Sequence, residues 1–355
     1  MVQPKKTLNV LQNALEEVAL KLVDISDEGE FDEDLFQRRL EEVIKISRET
    51  CEASSIKSYR ETAIKVLPDM REAAKGFEER SYERWKPAFD HLETMLAIAQ
   101  ELGEANANEF DHDTDESTQA VMAALSNIFP KALLVTNEII CLLKGGFPDG
   151  ALARWRSLHE LNVTAMYILQ EGRESAVAYM LSFHFAARRA ALQMNEHAEL
   201  ARLERFSKDD LEGFDIRRNE AEKALGRKIE KDKDGEWPSI NPNHRDFAAI
   251  EKHVGMDHWR PRYKWASQHT HADLKPVGNL LGMSESKEAV NLVGASNSGF
   301  ADPFMMTAIS LAQITVTFLT VTPNLDRVVQ SNVLLKFSDE MGEIAMKIHE
   351  TKKER

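Results

Sequence analysis

Residues 244–273, HRDFAAIEKHVGMDHWRPRYKWASQHTHAD, concentrate the groups in this chain that can move a proton near neutral pH, hold a phosphate or bind a metal. Five of the eleven histidines fall here (His244, His253, His258, His269 and His271), with Trp259, Trp265 and the cations Arg260, Arg262 and Lys264. Pro261 suits the first turn of a helix starting near Arg260. Tyr263, Ser267 and His271 would then follow at i, i+4 and i+8 on one face. Chemistry on a phosphodiester needs an imidazole as acid or base, a cation for the developing charge, and a polar group for orientation. His271 or His269, with Arg262 as the cation and Tyr263 and Ser267 orienting, could supply all three. A buried Tyr–Ser–His network that only holds helices together is the competing reading. His269, His271 and Asp273 alternate, which on a strand would set all three on one side. In helical surroundings they diverge, so no metal site is expected.

A second group of polar residues lies in the helix after the turn GGFPDG, ALARWRSLHELNVTAMYIL. Its apolar residues cover more than one face, which places it centrally in a bundle. Arg156 and Glu160 are four apart on one face and can pair. Such a pair among apolar neighbours marks either a polar pocket or a half-exposed intrahelical contact. Asp149 is the expected N-cap. Arg154 with His159, and Arg262 with His269, are spaced by four and six intervening residues. That spacing resembles the Arg–His signature of the HEPN ribonucleases, in which the pair acts on the RNA 2′-hydroxyl and the scissile phosphate. The pattern Arg156-x-x-x-Glu160, followed about a hundred residues later by Tyr263-x-x-x-Ser267-x-x-x-His271, resembles bacterial proteins grouped as domain-of-unknown-function family 5677. The likeness spans about residues 118–320. It implies a helical fold and a polar site at those five positions, but no particular reaction.

The elements that must position these residues are helical. Leu, Ala, Glu and Lys dominate, and only 16 glycines and 11 prolines occur in 355 residues. Apolar periodicity predicts helices over 7–23, 32–66, 69–102, 118–143, 150–170, 174–206, 304–321 and 323–352, with a charged helix or hairpin over 209–233. The expected fold is an all-α helical bundle over 118–355, with an additional helical N-terminal region over 1–102 and an acidic linker over 103–117. Phe304–Val321 nearly has the length of a membrane span, but six Thr, Ser and Gln residues and the lack of flanking basic anchors make it a core helix.

A net charge of −14 argues against general affinity for nucleic acid or anionic membranes, while allowing a local basic site that takes RNA. Cys51 and Cys141 fit neither a disulfide framework nor a zinc motif, and the N-terminus is not a signal peptide, so a cytoplasmic protein is expected. No cofactor motif is present. Two functions from different classes follow. One is a metal-independent ribonuclease-like effector of a bacterial stress or phage-defence system, with His271 or His269 as acid/base, Arg262 and Arg156 on phosphate, and Glu160, Tyr263 and Ser267 orienting. The other is a non-enzymatic scaffold or sensor whose N-terminal helices bind a protein partner, a second copy among the candidates.

Overall fold

A computed structural model describes residues 33–229, 237–271, 276–288 and 290–351, together with Asn13 and Glu16. Apart from those two residues, the expected helix 7–23 lies outside the described residues. The described residues form nine α-helices joined by turns and short 3-10 segments, with no strand among them, which is the all-α class expected. The helices are α1 Glu33–Asn108, α2 Glu116–Lys144, α3 Pro148–Glu171, α4 Arg173–Ala201, α5 Lys208–Leu225, α6 Phe247–His253, α7 Arg260–Ser267, α8 Ala301–Leu319 and α9 Leu325–Thr351.

The chain divides into two compact units, Met1–Phe77 and Glu78–Arg355. The expected boundary was the acidic segment 103–117, but those residues lie inside the second unit. Residues up to Asn108 complete α1, Phe110 is buried, and Asp115 caps α2 by accepting the N–H groups of Ser117 and Thr118. Acidity marked a helix end here, where carboxylates satisfy free N–H groups. The two pieces expected over 32–66 and 69–102 are one helix that continues through Pro68 and Pro87.

In the first unit, residues 33–77 of α1 leave large apolar side chains in solvent. Tyr59 is 74% and Ile64 75% exposed, and Ile56, Val66, Leu67 and Met70 are exposed as well.

The second unit is built around α8. Phe304, Ala308, Leu311, Ala312 and Phe318 are all buried, and α8 packs against α2, α3 and α9. Its hydroxyls are accommodated inside the helix, because Thr315 donates to the carbonyl of Leu311 and Thr317 to that of Gln313. By length and composition α2 and α8 could each cross a membrane, yet 72% of the apolar window of α8 is buried inside this unit. From Glu78 onward α1 contributes Trp85, Phe89, Leu92, Leu96 and Ala99, spaced by three and four and turned to the same core. Trp155 of α3 is fully buried and donates to Met306 O (2.9 Å). Asn162 donates to Gln313 Oε1 at 2.6 Å. These two bonds lock α3 against α8 and set the direction in which its polar residues point.

Candidate functional site

Asp149 does not cap its own helix. It is the second residue of α3 and reaches across to accept the backbone N–H groups of Leu281 (2.9 Å) and Gly282 (3.0 Å). His269 Nδ1 lies 3.4 Å from the same carboxylate, and the His269 side chain is 6% exposed. Asp149 thus ties two loops to the start of α3, and His269 belongs to that tie rather than to an open catalytic face.

Deeper along α3, His159 is fully buried, as is Glu251 of α6. His159 Nε2 lies 2.8 Å from Glu251 Oε1, so the N–H at that position donates to the carboxylate. Arg260 Nη1 donates to the other oxygen at 2.9 Å. A carboxylate removed from water needs such partners, and here each oxygen has one. Both partners come from other helices, so Glu251 joins α3, α6 and the start of α7. Sequence reasoning missed it. The available signal was its place on the arc set by Phe247, Ile250 and Val254, where an amphipathic helix would carry an apolar residue.

Above this pair lies Tyr263. Its ring centroid is 5.0 Å from the Arg156 guanidinium and 5.3 Å from that of Arg260, and its hydroxyl donates to Glu160. Arg156 Nη2 lies 3.1 Å from Glu160 Oε1, and Nη1 donates to Thr270 Oγ1 at 3.4 Å. Arg156 and Glu160 side chains are 29% and 38% exposed, so this part of the cluster is reached by water. Burial, and then the Glu160 carboxylate that accepts its O–H, push the Tyr263 phenol up to about 12. Burial disfavours the Arg156 charge, but the Tyr263 hydroxyl and Glu160 outweigh it and raise its pKa.

The structure therefore brings Arg156, Glu160 and Tyr263 together and leaves the rest of the expected row apart. Helix α7 ends at Ser267. The next N–H groups, of Gln268, His269 and Thr270, bond three residues back to Trp265, Ala266 and Ser267. This tighter turn takes His271 off the Tyr263 face and leaves it exposed. Ser267 donates to the carbonyl of Tyr263 in its own helix. Arg262 lies over the Trp259 ring at 5.2 Å and 4.0 Å from Asp302. The two Arg–His spacings do not converge either: Arg154 pairs with Glu138, and His159 with Glu251. Asp273 lies outside the described residues. One trio of His, Cys, Asp or Glu with convergent ligand atoms does occur among the described residues, formed by Glu171, His244 and His253. No local spacing hints at it, because 73 positions separate the first two ligands.

Residues 122–289 match the profile of a family of unknown function (DUF5677), close to the 118–320 expected. The match contains every residue of the polar cluster. No curated protein and no solved structure matches the chain.

Two outcomes follow from this geometry. Glu251→Ala leaves the buried His159 and the half-buried Arg260 without their acceptor, and is expected to cost about 3–5 kcal/mol in urea unfolding. A loss below about 1 kcal/mol, the range of an exposed pair, would mean that water already solvates these groups. Tyr263 is harder to ionise in the folded chain than in the unfolded one. Its stabilisation is therefore complete below the ordinary value of 10.0 and is lost as pH rises through about 12. In an ultraviolet phenolate titration the wild type should show one phenolate more than Tyr263→Phe, emerging only near the upper value. Emergence of that extra phenolate by the lower one would contradict the environment described.

Proposed function

We propose that the protein is a non-enzymatic helical scaffold, in which the polar cluster fixes helix packing and the N-terminal helix binds a partner. The observation that carries this reading is the mutual matching of the charges. Arg156 is held by Glu160, while Arg260 and His159 are held by Glu251. The two guanidinium groups and the two carboxylates sum to zero, so a phosphate would have to displace a carboxylate already in contact with its cation. Tyr263, with its raised pKa, serves as a hydrogen-bond donor rather than a base. Two surface grooves of about 460 and 370 Å³ border α1 and α2, and none of the cluster's residues lines them.

The partner surface is a largely exposed row on α1, with Ala63 and Phe77 half-buried. Ile56, Tyr59, Ala63, Val66, Met70, Ala73 and Phe77 are spaced alternately by three and four residues, the seam of a two-stranded coiled coil. Identical seams complement each other by two-fold symmetry, so the partner we infer is a second copy of this chain. The free thiols of Cys51 and Cys141 suit a cytoplasmic setting. Light scattering on the purified chain should give a dimer, and Tyr59→Glu with Val66→Glu should give a folded monomer. A wild-type monomer at the same concentration would defeat the proposed self-association.

One observation favours the ribonuclease-like effector as a second reading. His271 is exposed and directly follows Thr270, whose hydroxyl Arg156 reaches. In that reading His271 is the acid or base, Arg156 meets phosphate, and Glu160 and Tyr263 orient it. Wild type and His271→Ala would be compared for cleavage of RNA and for toxicity in cells. A drop of roughly a hundredfold in the variant is expected if His271 transfers the proton. Equal behaviour of the two folded proteins would eliminate this chemistry.

A further inference from the structure

We propose that Glu171, His244 and His253 form a binding site for a first-row divalent cation of the zinc type. The ligand-capable atoms of the three residues all lie within 4.8 Å of one another. His253 Nε2 and Glu171 Oε1 are 2.8 Å apart. Two ligand atoms each about 2.1 Å from one tetrahedral ion stand about 3.4 Å apart, so this edge is already within coordination reach and would open slightly around an ion. His244, the third ligand, has its ligand atom within 4.8 Å of the other two. The two imidazole centroids are 4.3 Å apart. Two imidazoles and one carboxylate suit a borderline cation better than calcium or magnesium, which prefer oxygen-only shells.

The surroundings support the same assignment. Tyr167 Oη lies 3.3 Å from the Asn243 carbonyl and 3.2 Å from His244 Nδ1. If the phenol O–H donates to Asn243, its oxygen accepts an N–H from His244 Nδ1. The Nε2 lone pair of His244 is then left for a metal, with the ring orientation fixed by the phenol. Glu171 is the last residue of the 24-residue helix α3, so the negative pole of that helix adds to the attraction for a cation. Both Glu171 and His253 keep partial exposure, at 22% and 30% of their side chains, which leaves an ion a way in and room for water as a fourth ligand. An ion here would link the end of α3 to the end of α6, two residues from Glu251. The scaffold reading plays no part in this argument, and the two can fail separately.

The test uses the full chain dialysed against a chelator, then titrated with Zn²⁺ by calorimetry and with Co²⁺ by visible absorption. One equivalent should bind with a micromolar or tighter dissociation constant. His253→Ala and Glu171→Gln should each weaken binding by at least about tenfold, and Tyr167→Phe by about tenfold through the lost support of His244. Circular dichroism checks that each variant is folded, and Glu171→Gln guards against a histidine variant that is not. Absence of micromolar binding by the wild type overturns the proposal. So does equal binding by wild type and the two ligand variants, which would assign the metal to other histidines.

Discussion

Glu251 has no exposure to solvent, and a charge in that position is tolerable only if both of its oxygens are met by donors. His159 meets one and Arg260 the other, each from a different helix. Helices α6 and α7 have seven and eight residues, too few to be stable by themselves in water. Their place is set by what they dock against, and the carboxylate is the point where that docking has direction as well as area. Fixing α6 through Glu251 also fixes His253 one short step further on. Fixing Arg260 sets one of the two guanidinium groups beside Tyr263.

The polar centre is thereby layered. The inner layer, His159–Glu251–Arg260, is an ion-paired strut inside an otherwise aromatic setting of Trp155, Phe247 and Tyr263. The outer layer, Arg156–Glu160–Tyr263, faces water on one side. Tyr263 belongs to both, with its ring 5.0 and 5.3 Å from the two guanidinium groups and its hydroxyl on Glu160. Charges so closely matched favour rigidity over the binding of an incoming anion. The trio at Glu171 is different in kind, because there two imidazoles and a carboxylate converge, with His253 Nε2 and Glu171 Oε1 the one close pair among the contacts described.

Much of the secondary structure could be read from periodicity. The apolar positions of α2, α3 and α8 repeat every three to four residues, and that repeat is a property of the local chain. Within the site, the Arg156–Glu160 pair was legible for the same reason, since residues four apart on a helix are neighbours wherever the helix is placed. The row Tyr263–Ser267–His271 used the same rule but assumed that α7 continued. It stops at Ser267, where the chain tightens toward the tie between His269 and Asp149. The break expected between 66 and 69 is absent: Pro68 and Pro87 are tolerated within a helix long enough to lose single bonds at each.

The sequence by itself determined the helical class, the core faces of α2, α3 and α8 and the intrahelical Arg156–Glu160 contact, because each of these follows from residues within a few positions of one another. Only the tertiary structure decided that His159 faces Glu251, that Tyr263 reaches Glu160, that His269 serves Asp149, and that Glu171 meets His244 and His253. Those partners lie dozens to more than a hundred residues apart, and no local spacing encodes them. They are selected by the packing of α3 against α8 and of the two short helices against α3, which settles which polar groups leave water together.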